Sequence, residues 1–171
     1  IEELRALGCS INVLDIGSTF PFPSVAERSA ALAMLSEVPH GEPIVIDGLA
    51  FGALPEASTL RHRTPLVALV HQPLALDAGI DAAQAKTFRR TERVALAAAC
   101  QVLVTSETTA KIVEDGYHVP GERIHVARPG NDRVPQAFGS QDGIVRLISV
   151  GSLVPGKGYD LLIPALANLI D

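Results

Sequence analysis

The sequence of 171 residues has no tryptophan, only 4% aromatic residues and two cysteines, Cys9 and Cys100. Each cysteine lies in its own apolar context without metal-ligand spacing, so we expect reduced core thiols, as in a cytosolic protein, rather than a disulfide or a metal site. The 14 lysines and arginines are outnumbered by 19 acidic residues and nowhere cluster densely, which argues against a nucleic-acid partner. No apolar run approaches the roughly 18 residues of a transmembrane helix. We therefore expect a cytoplasmic protein without a transmembrane segment, and peripheral contact with a membrane stays open.

Short apolar runs alternate with helical segments along the chain. The runs predict strands at residues 11–16, 43–47, 66–70, 102–104, 124–126 and 145–150. Because these strands are apolar throughout, they indicate a parallel sheet covered by helices on both faces. Right-handed crossovers then give an α/β fold with a Rossmann-like, doubly wound sheet. Ligands bind beyond the carboxyl ends of the strands in such a sheet, so the loops that follow the strands are the candidate sites.

Polar residues mark the starts of several predicted helices, because their side chains can satisfy unpaired backbone N–H groups. Such caps are predicted at the pair Ser24 and Glu27, at the pair Asp81 and Gln84, and at Ser106. The longest predicted helix begins at the second pair and runs to about Ala99. Glu92 lies on this helix among three arginines, and the alternation of charge is typical of a solvated helix face.

A glycine-rich stretch from Gly151 to Gly158 follows the last predicted strand and precedes a predicted helix. Backbone amides at a helix N-terminus, together with the ammonium group of Lys157, form an anion site suited to phosphate. A P-loop would place serine or threonine directly after this lysine, where the chain has Gly158, and only 13 residues follow. Asp47 ends an apolar strand as a Walker B aspartate does, but it lies upstream and would require a permuted order. A phosphate-binding NTPase is therefore a secondary hypothesis.

The stretch of residues 147–162 resembles the opening of the C-terminal domain in family 4 glycosyltransferases of the GT-B fold. In that family a strand ending in V-G-R is followed by a loop of the L-x-x-x-K-G type, and the arginine and lysine bind the diphosphate of the donor. The resemblance assigns diphosphate binding to Lys157, within a loop that contains Gly151 and Gly158. Ser152 stands at the arginine position, and its hydroxyl can donate a hydrogen bond to phosphate but cannot neutralise its charge.

Further stretches upstream resemble the same family. Residues 104–109 are similar to its strand ending in V-x-S-x-x-x, and residues 122–132 to its E-K-I-x-V-I-x-N-G-V-D segment. His71 falls where the family usually places a histidine after a central strand, facing the cleft. The resemblance implies that His71 is catalytic, through a hydrogen bond to the transferred sugar or by steadying charge at the reacting centre. No second ligand stands at metal spacing beside it, so we expect no metal.

Four residues at strand ends are candidates for contact with the acceptor or for lining the cleft: Asp47, Gly48, Ser106 and Glu107. Asp47 is about equally suited to capping the next turn. Ser106 and Glu107 are more typical of a helix cap and a first-turn residue. The apolar loop Phe20-Pro21-Phe22-Pro23 either covers the core or lines an acceptor groove.

The resemblance also implies a division of the chain. Residues 1–132 are expected to form the N-terminal, acceptor-side GT-B domain without its first strand, and residues 133–143 a linker. Residues 144–171 would supply the first strand and helix of a second Rossmann-like domain, which binds the nucleotide sugar. These two elements lack their own sheet here and could pack on a second copy or a partner chain. The family's glycine-rich loop is expected before Ile1 and its E-x7-E carboxylates after Asp171, so we expect the 171 residues alone to be inactive.

The implied reaction transfers a sugar from a nucleotide-sugar donor to the hydroxyl of an unknown acceptor. Family members generally retain the anomeric configuration and need no metal, and the nucleotide sugar is a substrate, so no cofactor is expected. A non-catalytic Rossmann-like interaction domain is a third hypothesis, and it would bind no nucleotide.

Overall fold

The computed structural model describes residues 1–140 and 142–169. Within these residues the chain forms four β-strands, β1 (Ile44–Asp47), β2 (Leu66–Val70), β3 (Gln101–Val104) and β4 (Ile124–Val126). The α-helices of the same residues are α1 (Glu2–Ala6), α2 (Val25–Ser36), α3 (Gly48–Ala53), α4 (Ala82–Ala98), α5 (Glu107–Tyr117) and α6 (Tyr159–Ala167). Short 3-10 helices include Pro55–His62, Leu74–Leu76 and Pro155–Lys157.

The strands form one parallel sheet in the order β1-β2-β3-β4, which is also their order along the chain. Between consecutive strands, an α-helix and a 3-10 helix return the chain to the amino end of the next strand. The register places Asp47 beside Leu69 and Val70 beside Val104, so the strands end at a common edge. The predicted α/β class with a Rossmann-like parallel sheet is confirmed.

The core lies between this sheet and the helices. Ala68, Val102 and Val104 are fully buried in the central strands, and helix α4 adds Ala95 and Leu96 to the same cluster. Burying a valine or leucine side chain stabilises the fold by about 1.5–3 kcal/mol. The apolar character of the strands is therefore sufficient to explain why the sheet forms at these positions.

The helix caps lie where the sequence predicts them. Both bonds of the capping box are present at the start of α2, with Glu27 N–H donating to the Ser24 hydroxyl and Ser24 N–H donating to the Glu27 carboxylate over 2.7 Å. Asp81 and Gln84 form the corresponding pair at the start of α4. These predictions are confirmed.

Two predicted strands are absent from the described residues. Residues 11–16 and 145–150 adopt no strand conformation, and Val13, Ile148 and Val150 are exposed. A strand is stable only where a neighbour completes its ladder of backbone hydrogen bonds, and no described segment pairs with either run. Both runs have the apolar pattern of a strand, but the prediction that they form strands was wrong.

Cys9 and Cys100 are both free, as predicted, but the prediction that they lie in the core was wrong, because both are exposed. The division into domains stays a prediction. Gln141 of the predicted linker lies outside the described residues, as does Ile170, where the last helix was expected to end.

Candidate functional site

Asp47 and His71 meet at the carboxyl edge of the sheet. Asp47 is the last residue of β1, and His71 directly follows the neighbouring strand β2. The distance from Asp47 Oδ2 to His71 Nε2 is 3.6 Å, and both side chains are about half exposed. This separation is too long for a hydrogen bond but suits an ion pair when the imidazole is protonated. The structure thus brings together two residues that the sequence places 24 positions apart.

The two carboxylate oxygens of Asp47 have different surroundings. Oδ1 accepts a hydrogen bond of 2.9 Å from the Leu49 N–H and caps α3, whereas Oδ2 faces His71. Gly48 is held close to β2, since a Cβ at this position would lie 3.1 Å from the Leu69 carbonyl oxygen and 3.4 Å from Val70 Cα. Close packing of α3 on the strand is enough to explain glycine at this position.

The backbone of His71 is fixed by the next loop along the sheet edge. Its carbonyl oxygen accepts hydrogen bonds from the hydroxyls of Thr105, at 3.3 Å, and Thr109, at 3.4 Å. Ser106 caps α5 by accepting the Thr109 N–H at 3.1 Å, as its sequence position indicated. The threonines tie the start of the His71 loop to β3 and α5, a connection that the sequence pattern alone did not reveal.

Glu107 and Arg128 form an ion pair beyond the ends of β3 and β4, with 3.4 Å between Arg128 Nη2 and Glu107 Oε1. Both side chains are more than two-thirds exposed, and such pairs contribute roughly 0–1 kcal/mol. Arg128 is a cation at the candidate edge that the sequence analysis did not single out. Its position two residues after the predicted strand at 124–126 is the sequence feature that could have identified it.

Glu92 is buried, with 5% of its surface exposed, so its prediction as part of a solvated face was wrong. Its carboxylate accepts hydrogen bonds from the N–H groups of Leu74 and Ala75 and from the Tyr117 hydroxyl. Burial raises the pKa of Glu92, while these bonds and Arg89 act in the opposite direction. Burial, followed by the bond to Glu92, also raises the pKa of Tyr117.

The glycine-rich stretch has a defined conformation at the start of α6. Gly158 occupies the N-cap in the left-handed region, with φ of 65°, which suits glycine. A Cβ on Gly151 would lie 3.1 Å from Tyr159 Oη and 3.7 Å from the Lys157 side-chain carbons, so these residues gather in one loop. Ser152 and Lys157 are exposed.

The same loop lies near the His71 loop at one point, because a Cβ on Gly156 would be 3.7 Å from Ala78 Cβ. Among the described residues, however, no hydrogen bond or ion pair joins Lys157 or Ser152 to His71 or Asp47. The structure therefore assembles the sheet-edge residues and the glycine-rich residues as two separate groups.

A groove of about 450 Å³ runs beside the loop at residues 20–23. It is lined by the start of α2, the first half of α4 and three residues of the loop, Pro21, Phe22 and Pro23. Phe20 packs against the core, whereas Phe22 is 58% exposed and meets the Phe88 ring edge-on at 5.5 Å. The loop thus covers the core with one phenylalanine and lines a groove with the other.

The part of the chain that the structure describes lacks both a cluster of metal ligands and a membrane-spanning helix. No group of three or more His, Cys, Asp or Glu side chains could hold a metal ion there. None of the helices in that part combines the length and apolar character that a membrane span needs.

The family model described as Glycosyltransferase Family 4 matches residues 44–133, more than half of the chain. The match begins with β1 and includes the whole sheet and its carboxyl edge; the glycine-rich stretch lies outside it. Neither the curated proteins nor the solved structures yielded a match.

Proposed function

The chain belongs to glycosyltransferase family 4, and on this premise we propose that it forms the acceptor side of an enzyme that transfers a sugar from a nucleotide-sugar donor to an acceptor hydroxyl. The observation that carries the proposal is the Asp47–His71 pair at the carboxyl edge of the sheet. This pair lies inside the matched region, and parallel α/β sheets bind their ligands at that edge.

His71 is proposed to act on the transferred sugar. Glycosyl transfer develops positive charge on the sugar and negative charge on the departing diphosphate, so the protein's main task is electrostatic. An exposed imidazole can donate a hydrogen bond to a sugar hydroxyl, and the Asp47 carboxylate, 3.6 Å from Nε2, would favour one orientation of the ring. Asp47 and Glu107 offer acceptors for hydroxyl groups at the same edge.

Lys157 is proposed to bind the donor diphosphate. Its exposed ammonium group stands at the start of α6, where backbone N–H groups and the helix dipole also favour an anion. Gly151 and Gly158 allow the backbone to approach phosphate closely, and Ser152 would contribute a hydroxyl. Retention of configuration, independence of a metal and a cytoplasmic location belong to the same proposal.

The test uses the full reading frame that contains this sequence, incubated with labelled UDP-glucose, UDP-N-acetylglucosamine and GDP-mannose. We expect consumption of at least one donor, reduced by about 10²-fold or more in His71→Asn, as is typical when a group that stabilises charge at a reacting centre is removed. His40→Asn, which changes an exposed histidine remote from the edge, serves as the control.

Two results would overturn the proposal. Mg²⁺-dependent hydrolysis of ATP or GTP that is lost in Lys157→Met, without consumption of any nucleotide sugar, would favour the NTPase. Failure of the full-length protein to bind any nucleotide would favour the interaction domain.

A further inference from the structure

Glu92 is a buried carboxylate in the middle of α4 that faces the loop carrying His71. Its Oε1 accepts the Leu74 N–H at 2.5 Å, and its Oε2 accepts the Ala75 N–H at 3.2 Å. The Tyr117 hydroxyl donates to Oε2 at 2.7 Å. Three donors thus surround one carboxylate, and they offset part of the free energy that burial of its charge costs.

The surroundings of Glu92 leave no room for a substrate. A Cβ on Gly52 would lie 2.7 Å from Glu92 Cγ and 3.0 Å from Leu74 Cδ1, so α3 approaches this side chain as closely as glycine allows. The adjoining cavity measures about 10 Å³, roughly the space of one water molecule. Glu92 can therefore influence chemistry only through the groups that it holds.

The group that it holds is the turn directly after His71. Leu74 and Ala75 begin a 3-10 helix, and their N–H groups have no partner within that helix. Glu92 supplies the missing acceptors from a helix that starts seven residues further along the chain. At the other end of the turn, the threonine hydroxyls fix the His71 carbonyl, and the Gln72 side chain donates to the Leu76 carbonyl at 3.0 Å.

We propose that Glu92 is a positioning residue, which fixes the turn at residues 72–76 and thereby holds the His71 imidazole beside Asp47. The segment is fixed at two places. The threonines bind the His71 carbonyl to β3 and α5, and Glu92 binds the N–H groups of Leu74 and Ala75 to α4. The significance of this role for sugar transfer rests on the proposed function, but the positioning itself does not.

Other charged groups near Glu92 reinforce this arrangement. Arg89, one turn earlier on α4, lies over the Tyr117 ring with 5.6 Å from its guanidinium carbon to the ring centroid. Arg93, the next residue of α4, donates to the Gly116 carbonyl at 3.1 Å. Both arginines contact the end of α5, which also holds the Tyr117 hydroxyl that donates to Glu92.

The test compares Glu92→Gln with Tyr117→Phe. Glutamine keeps the size of the side chain but replaces one acceptor with a donor, which would face one of the two turn N–H groups. Phenylalanine removes only the third donor. A surface change on α5, Glu114→Gln, is the control. Two quantities are measured by NMR without any nucleotide sugar: amide hydrogen exchange at Leu74 and Ala75, and the imidazole signals of His71.

We expect Glu92→Gln to accelerate exchange at Leu74 or Ala75 by about tenfold or more and to shift the His71 imidazole signals. Tyr117→Phe should leave both turn amides within about threefold of the wild type. A purely structural role would accelerate exchange evenly through the core and leave the native imidazole signals in place. That pattern, or unchanged turn amides in Glu92→Gln, would overturn the proposal, whether or not the full-length protein transfers sugar.

Discussion

Protonation of Glu92 links the stability of the fold to pH. Because burial raises the pKa of this carboxyl above its ordinary value of 4.5, the folded chain binds the proton more tightly than the unfolded chain does. The free energy of unfolding must then fall as pH rises from about 4.5 through the raised pKa, and become level above it. The loss amounts to about 1.4 kcal/mol for each unit by which the pKa is raised.

Glu92→Gln removes this dependence, since its amide does not titrate. The difference in unfolding free energy between wild type and variant should therefore decline with rising pH across that window and then stay constant. Urea denaturation of both proteins at intervals from pH 4 to pH 8 measures this difference in unfolding free energy. A difference that grows with pH would mean that the three donors outweigh burial and that the pKa of Glu92 is lowered.

Gly52 is the second residue whose role follows from its contacts. Gly52→Ala should destabilise the protein by about 1–3 kcal/mol, because the new Cβ would clash with Glu92 Cγ. The cost of this clash exceeds the roughly 1 kcal/mol that alanine gains over glycine in a helix. Gly130→Ala is the matched control, because a Cβ there meets no atom within 4 Å. Chemical denaturation measures the unfolding free energy of both variants, and equal values would contradict the expected clash.

The burial of Glu92 could not be predicted from the sequence. Its neighbours on the helix are arginines, and the local pattern is that of a solvated face. The donors that stabilise it come from residues 17, 18 and 25 positions away, so only the folded chain brings them together. The Asp47–His71 pair was easier to anticipate, because parallel strands end at one edge.

The helix starts of this chain are determined by residues close together in the sequence, whereas its strands also depend on distant residues. The capping box at Ser24 and Glu27 lies within four residues and was predicted from those residues alone. Residues 11–16 have an equally clear strand pattern, yet a strand depends on a partner elsewhere in the chain. Helix starts were therefore predicted correctly, whereas runs without a neighbouring strand were not.

Ser24→Ala should lower the unfolding free energy by about 1 kcal/mol, the usual effect of losing an N-cap hydroxyl. Ser29→Ala, on the same helix, removes only a hydroxyl that bonds the Val25 carbonyl one turn earlier, and should change stability by no more than about 0.5 kcal/mol. Thermal and urea denaturation compare the two variants. Equal losses would show that the cap does not determine where α2 begins.

Seen as a whole, the described part of the molecule has a buried interior of two apolar clusters and a largely exposed apolar end. Residues 144–169 expose large apolar side chains, among them Ile148, Val150 and Leu153 at about nine-tenths of their surface. Exposed apolar groups in such numbers are characteristic of surfaces that associate. The fold class was predictable because the four strands of the sheet have clear apolar patterns, whereas the similar pattern at residues 145–150 has no paired neighbour among the described residues.

The 171 residues should therefore associate with themselves through this end. We expect sedimentation velocity to show a concentration-dependent increase in mass, reduced in the double variant Ile148→Asp, Val150→Asp. The pair Ser152→Asp, Asn168→Asp adds the same charge at exposed sites without removing an apolar side chain, and should leave association intact. A monomer at all concentrations would contradict this expectation.

The isolated 171 residues should also bind nucleotide sugars weakly or not at all, because the proposed diphosphate site relies on the charge of Lys157 and has an uncharged serine at position 152. Titration calorimetry with UDP-glucose and GDP-mannose measures this directly. Binding with a micromolar or lower dissociation constant would show that the donor site is more complete than the resemblance implies.

The exposed cysteines have a practical consequence for all of these measurements. Cys100 directly precedes β3 and so lies at the amino end of the sheet, opposite the edge that carries Asp47 and His71. In a Cys9→Ser background, its thiol becomes a single attachment point for a maleimide fluorophore. Such a label would report unfolding and self-association by its emission while leaving the candidate site untouched.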